Sequence, residues 1–172
     1  MSGITPTEVG SFFISLIVPI ATGVVAASFT TYLALKRFYK EKWWEKKHSA
    51  YSQVIDNLFE VKEIYEYASI FYEHEWSASE GVSHWSNEGK VDWDKFHKTK
   101  AKIQRQYVLS PISLSSNSKN LLKFFFEADL EAERKVVEDG EYDFKVYEEM
   151  SRHIEKIIDA IVIDAEKELK FK

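Results

Sequence analysis

The chain has 172 residues, no cysteine and a formal net charge of −5. The absence of cysteine excludes disulfides, thiol catalysis and thiolate metal sites. Since Glu8 contributes −1 and residues 36–48 contribute +4, the remaining residues 49–172 carry −8, which argues against binding to a phosphate backbone and against DNA as a partner.

The first predicted element is a membrane helix at 11–35. Its 25 residues contain no charge, and at roughly 1.5 Å per residue a helix of that length exceeds the ~30 Å hydrocarbon core of a bilayer. A signal peptide carries its positive charge before the apolar run, whereas here the basic cluster follows it, so we expect the segment to be retained. A buried core helix is the alternative interpretation.

The next stretch, 36–48, is basic and aromatic. It contains six Lys and Arg residues against two glutamates, and the positive-inside rule therefore predicts a cytoplasmic carboxyl terminus and an outward amino terminus. Lipid is the partner that this pattern predicts, and a nucleic-acid patch is the alternative. The residues expected at the membrane interface are Lys36, Arg37, Trp43 and Trp44.

Residues 49–172 are predicted to form one helical domain. Apolar residues recur at alternating steps of three and four from Trp44 to Tyr72, which is the spacing of a helix that packs into a bundle. No Pro or Gly lies between the membrane segment and Trp76, so one continuous helix is expected from the membrane into the domain. A glycine-containing loop is predicted at 77–90.

The second and third helices are predicted from their caps and breaks. Asp92 is expected to cap the second helix, which Pro111 closes. The third helix ends near Gly140, and its apolar run is wide enough that we expect it to touch two neighbours. Its candidate caps are Ser115, Ser116 and Ser118, and its apolar residues are Leu121, Leu122, Phe124, Phe125, Phe126 and Leu130.

A fourth helix completes the predicted bundle, with one apolar face opposite a charged one. That face consists of Tyr147, Met150, Ile154, Ile157, Ile161, Ala165 and Leu169. The predicted fold is therefore all-α, with a short outward terminus and a single transmembrane helix in 1–35, a membrane exit at 36–48 and a cytoplasmic four-helix bundle at 49–172.

The sequence holds few candidates for chemistry. It has no glycine-rich phosphate loop and no nucleophile elbow. Glu45 and His48 form one Glu-x-x-His pair, whereas a di-iron bundle needs two, so no metal or other cofactor is expected. Glu149 and His153 are four residues apart on the last helix and can pair as a surface contact.

The layout resembles that of the small membrane accessory proteins encoded beside type VI-B CRISPR RNA-guided nucleases, and more loosely other single-pass antiphage effectors. The resemblance rests on a short amino terminus, one membrane helix and an all-α domain after the exit FYKEKWWEKKHSAYSQVIDNLFEVKEIYEY. It implies an oligomeric pore in a bacterial inner membrane, an HEPN-like bundle in the cytoplasm, and an RNA-guided nuclease or its RNA products as partner.

The HEPN ribonuclease signature places a His about four to six residues after an Arg on the last main helix. Here the corresponding candidates, Arg152 and His153, are adjacent, and adjacent helical residues diverge by about 100°. We therefore expect neither catalysis by this pair nor an enzyme, and expect the His to lie at the edge of the core or at an interface.

The leading hypothesis is a membrane-anchored oligomer that forms a pore and depolarises the membrane. Small or compact residues recur every four positions along the membrane helix, which permits close helix approach in lipid; accommodation of a kink at Pro19 is the other interpretation. They are Ser11, Ser15, Pro19, Gly23, Ala27 and Thr31. The alternatives are a degenerate HEPN-like RNA-binding protein or ribonuclease, and a passive anchor that recruits a soluble partner.

Overall fold

The computed structural model describes residues 6–81 and 89–170, except for the side chains of 6–14, 16 and 18, and it is helical throughout its regular structure. The predicted all-α class is confirmed over this part of the chain. Its elements are α1 Pro6–Ser79, α2 Trp93–Leu109, a 3-10 turn Ser110–Ile112, α3 Ser116–Val137 and α4 Asp143–Leu169. The chain forms two compact units, Met1–Trp44 and Glu45–Lys172.

The first unit contains the amino-terminal part of α1, with Pro19 inside the helix. Over the residues that the structure describes, no helix combines the length and the apolar character that crossing a membrane requires. The predicted membrane segment at 11–35 includes side chains that lie outside the description, at 11–14, 16 and 18.

The ends of the helices follow from local chemistry. Gly81 has φ +75°, a left-handed conformation that stops α1 and that glycine adopts without a Cβ clash. Asp92 caps α2 by accepting the Lys95 N–H at 2.8 Å, as predicted. Of the three serines predicted as caps of α3, Ser115 has that role, because its hydroxyl accepts the Ser118 N–H at 3.0 Å.

The second unit is built on an apolar core to which all four helices contribute. The predicted apolar faces of α1 and α4 are the buried ones, and each fully buried Val, Leu or Ile contributes about 1.5–3 kcal/mol. The buried positions that the spacing predicted include Tyr51, Val54, Leu58, Val61, Tyr65, Met150, Ile154, Ile157, Ile161 and Ala165.

The third helix buries a narrower face than its sequence predicted. Leu122 and Phe125 are fully buried, but Phe124 is 55% exposed and Leu130 is 68% exposed, so the expected wide contact is wrong at those two positions. Since neighbouring residues on a helix diverge by about 100°, a face centred on Phe125 turns Phe124 outward.

Candidate functional site

The first unit presents a row of exposed apolar side chains along α1. Eight large residues between positions 17 and 35 are 48–69% exposed, which is far more than the isolated apolar residues that ordinary surfaces carry. They are Ile17, Ile20, Val24, Val25, Phe29, Tyr32, Leu33 and Leu35. A contiguous apolar surface of this kind marks a face that another apolar phase or chain covers.

Three threonines of this segment bond within their own helix. They donate their hydroxyl protons to carbonyls three or four residues earlier, so these hydroxyls have partners without water. The pairs are Thr22 with Pro19 at 3.0 Å, Thr30 with Ala26 at 2.9 Å and Thr31 with Ala27 at 2.8 Å.

The predicted small-residue face is exposed at every position whose side chain the structure describes. These positions are Ser15, Pro19, Gly23, Ala27 and Thr31, whereas the side chain of Ser11 lies outside the description. A Cβ built on Gly23 meets no atom within 4 Å, so this chain by itself leaves room for a larger residue there. Any effect of such a residue on assembly would therefore arise between chains.

The residues predicted for the membrane interface are exposed at three of their four positions. Lys36 and Arg37 are exposed and Trp43 is 51% exposed, whereas Trp44 is half-buried. Arg37 pairs with Glu41 at 2.8 Å, and this hydrogen bond raises the pKa of Arg37. Because the pair is fully solvated, it contributes little to stability.

Arg152 and His153, the two candidates for RNA chemistry on the last helix, have different surroundings in the structure. Arg152 is exposed and its guanidinium bonds Glu148 one turn earlier, at 2.6 Å. His153 is also exposed and lines a shallow cavity of about 210 Å³ between α3 and α4. Glu149, which could have paired with His153, instead bonds Lys135 at 3.0 Å.

Replacing Arg152 and His153 together by Ala is expected to leave RNA turnover at background and to change the free energy of unfolding by less than about 0.5 kcal/mol, because both side chains are exposed. RNA digestion assays and thermal unfolding of the purified protein check this. Ile154→Ala is the contrasting variant. Ile154 follows His153 in the chain but is fully buried, so its replacement is expected to lower the free energy of unfolding by about 2–5 kcal/mol. Purified protein that cuts RNA and loses this activity in the double variant contradicts the prediction.

Two buried aspartates are functional candidates that sequence reasoning missed. Asp164 accepts hydrogen bonds from Ser115, Ser118 and, at 3.2 Å, the Tyr51 hydroxyl. Burial acts to raise the pKa of Asp164, but these hydrogen bonds outweigh it and hold the pKa below its usual value. The sequence did contain a signal for such a site. Tyr51 lies on the predicted buried face, and a buried tyrosine hydroxyl needs a hydrogen-bond partner.

The second missed aspartate, Asp129, is 5% exposed on α3. It accepts the Tyr65 hydroxyl proton at 2.7 Å and pairs with Lys100 of α2. Each aspartate therefore ties three separate segments of the bundle together through a buried carboxylate.

Within 6–81 and 89–170, no three His, Asp or Glu side chains converge into a metal site. Comparisons with known proteins found no match for this chain among family models, curated proteins or solved structures.

Proposed function

We propose that this protein is a membrane-anchored, self-associating interaction protein. Residues 11–35 cross a bacterial inner membrane once, with the amino terminus outside and the bundle in the cytoplasm. The observation that carries this proposal is the row of apolar side chains, 48–69% exposed, within a stretch of 25 uncharged residues. A bilayer removes this whole row from water, which a soluble helix of one chain does not achieve.

The energetics support insertion. Twelve Phe, Ile, Leu and Val residues lie in the segment, and at about 0.3–0.6 kcal/mol each they favour insertion by about 4–7 kcal/mol. The three threonine hydroxyls already bond to helix carbonyls, so burying them in hydrocarbon leaves no unpaired donor. The exposed Lys36 and Arg37 then meet anionic headgroups on the cytoplasmic side.

Self-association follows from the face with small residues. In lipid, helices attract one another through close packing and hydrogen bonds, and positions such as Gly23 and Ala27 allow backbones to approach. An assembly of these helices provides a path for ions and depolarises the membrane. The antiphage membrane effectors that the layout resembles are expected to act in this way.

Gly23→Ile and Ala27→Ile are expected to disrupt the oligomer while leaving membrane insertion intact. Both changes make the segment more apolar, which favours insertion, but each places branched bulk where a neighbouring backbone approaches. Val25→Ile is the matched control, because it adds apolar bulk outside the small-residue face and is expected to keep the wild-type assembly.

Two measurements on these variants test the proposal. Native size in mild detergent reports assembly, and a potential-sensitive dye in liposomes or cells reports depolarisation. Variants at Gly23 and Ala27 that keep both the wild-type size and the wild-type permeability would remove the small-residue face from the mechanism. A wild-type protein that is monomeric and does not depolarise the membrane would leave a passive anchor.

A further inference from the structure

A cavity of about 190 Å³ in the bundle is walled by aromatic rings. Phe96 is held edge-to-face by Tyr65 at 5.2 Å and by Trp93 at 5.4 Å between ring centroids. Tyr147 closes the wall, 5.5 Å from Trp93 and 5.7 Å from Tyr65. These contacts join α1, α2 and α4, so the rings form a preorganised apolar surface.

One end of this cavity is polar. The buried Asp129 uses one carboxylate oxygen to accept from Tyr65 and the other to pair with Lys100. The Lys100 side chain is 31% exposed, and its Nζ lies 5.7 Å from the centre of the Phe96 ring. An ammonium has three N–H donors and Asp129 takes one, so Lys100 is suited to donate to a bound molecule.

The charge of the lining discriminates between classes of ligand. Glu133 and His97 also line the cavity, which gives a formal charge of −1 with the His neutral. Burial first, and then the charge of Asp129 and its hydrogen bond, raise the pKa of Tyr65, so its hydroxyl stays protonated. Anionic ligands are therefore disfavoured, and a cation without an acceptor leaves the donors of Lys100 at the polar end unused.

We infer that this cavity binds a small, uncharged aromatic molecule that carries a hydrogen-bond acceptor beside a donor, as a primary aromatic carboxamide does. The carbonyl accepts from Lys100, the amide N–H donates to Glu133, and the ring packs against the half-buried Trp93 and Tyr147. A volume of 190 Å³ is below the roughly 300–1,000 Å³ of pockets for drug-sized ligands, which restricts the occupant to about one ring. This binding activity is separate from the proposed membrane function.

Three probes of the same shape test the inference on the full-length chain in detergent. Benzamide is neutral, benzoate is an anion and benzamidine is a cation, so they differ mainly in charge and hydrogen bonding. Titration calorimetry or ligand-observed NMR is expected to show saturable binding of benzamide. Benzoate offers no donor to Glu133 and meets a net negative lining, so it is expected to bind at least about tenfold more weakly. Benzamidine offers no acceptor to Lys100 and places its charge beside the ammonium, so it is expected to bind more weakly than benzamide.

Variants at the rim locate the binding. Val137 lines the cavity and is 75% exposed, so Val137→Trp covers the mouth without entering the core and is expected to abolish benzamide binding. Val108→Trp is the matched control, since Val108 is 65% exposed on α2 and does not line the cavity. Glu133→Gln removes the rim charge and is expected to reduce the discrimination against benzoate.

Several results would overturn the inference. These are the absence of saturable benzamide binding, equal affinity for the three probes, or wild-type benzamide binding in folded Val137→Trp. If Val137→Trp does not fold, Glu133→Gln tests the inference instead, because Glu133 is exposed and its replacement is expected to leave the fold intact. An unchanged preference between benzamide and benzoate in that variant would likewise overturn the assignment of Glu133.

Discussion

Replacing Val24 and Val25 together by Asp is expected to release the full-length protein from the membrane. Both valines are exposed on α1, at 61% and 69%, so no core is disturbed by the change. Each Asp at the centre of a membrane helix costs about 2.5–3.5 kcal/mol, and each lost Val removes a further 0.3–0.6 kcal/mol. The combined cost of about 6–8 kcal/mol offsets the roughly 4–7 kcal/mol that the apolar residues contribute.

Carbonate-washed membranes measure this effect as the fraction of protein retained in the pellet. Replacing the same two valines by Ala is the control, because it removes apolar surface without adding charge and is expected to keep most of the protein in the membrane. A double Asp variant that withstands the carbonate wash as the wild type does would show that residues 11–35 do not hold the protein in the bilayer.

Asp164→Ala is expected to cause a large loss of stability in the bundle. The change leaves the hydroxyls of Tyr51, Ser115 and Ser118 without their shared acceptor, and it also disturbs the serine that caps α3. Because a buried donor without a partner costs about 1–3 kcal/mol, a total loss of about 3–5 kcal/mol is expected. Thermal unfolding followed by circular dichroism measures it.

Glu168→Ala is the control for a charge on the same helix. Glu168 pairs with Lys47 at 2.6 Å near the surface, with its side chain 36% exposed, so its loss is expected to cost less than about 1 kcal/mol. Equal destabilisation by Asp164→Ala and Glu168→Ala would contradict a special role for the buried carboxylate.

The stabilisation by Asp164 also depends on pH. The pKa of Asp164 in the folded protein lies below its usual value. The ionised carboxylate therefore stabilises the fold fully above the unfolded pKa of about 4, and this stabilisation is lost as the pH falls through the lower folded pKa. The stability difference between wild type and Asp164→Asn is therefore expected to be large at pH 7 and to shrink under acid conditions. A difference that grows as the pH falls would exclude this linkage.

Local features of the bundle could be read from the sequence because they depend on residues within about one or two helical turns. Asp92 and Ser115 cap helices through N–H groups three residues away, and Gly81 stops α1 with its own backbone conformation. The spacing of apolar residues on α4 likewise determined its buried face, because a helix that packs on one side buries every third or fourth residue.

Long-range contacts decided the rest. Phe124 and Leu130 are as apolar as the buried residues of α3. Both are exposed, because the neighbouring helices pack on another side of α3. Tyr65 and Asp129 are 64 positions apart, so no local pattern could pair them. The sequence by itself indicated the four helices, the Asp92 cap of α2 and the 25 uncharged residues of 11–35, whereas α1 continues to Ser79, into the loop predicted at 77–90. Only the tertiary structure placed the buried carboxylates and the aromatic cavity, because each requires side chains from three or more packed segments.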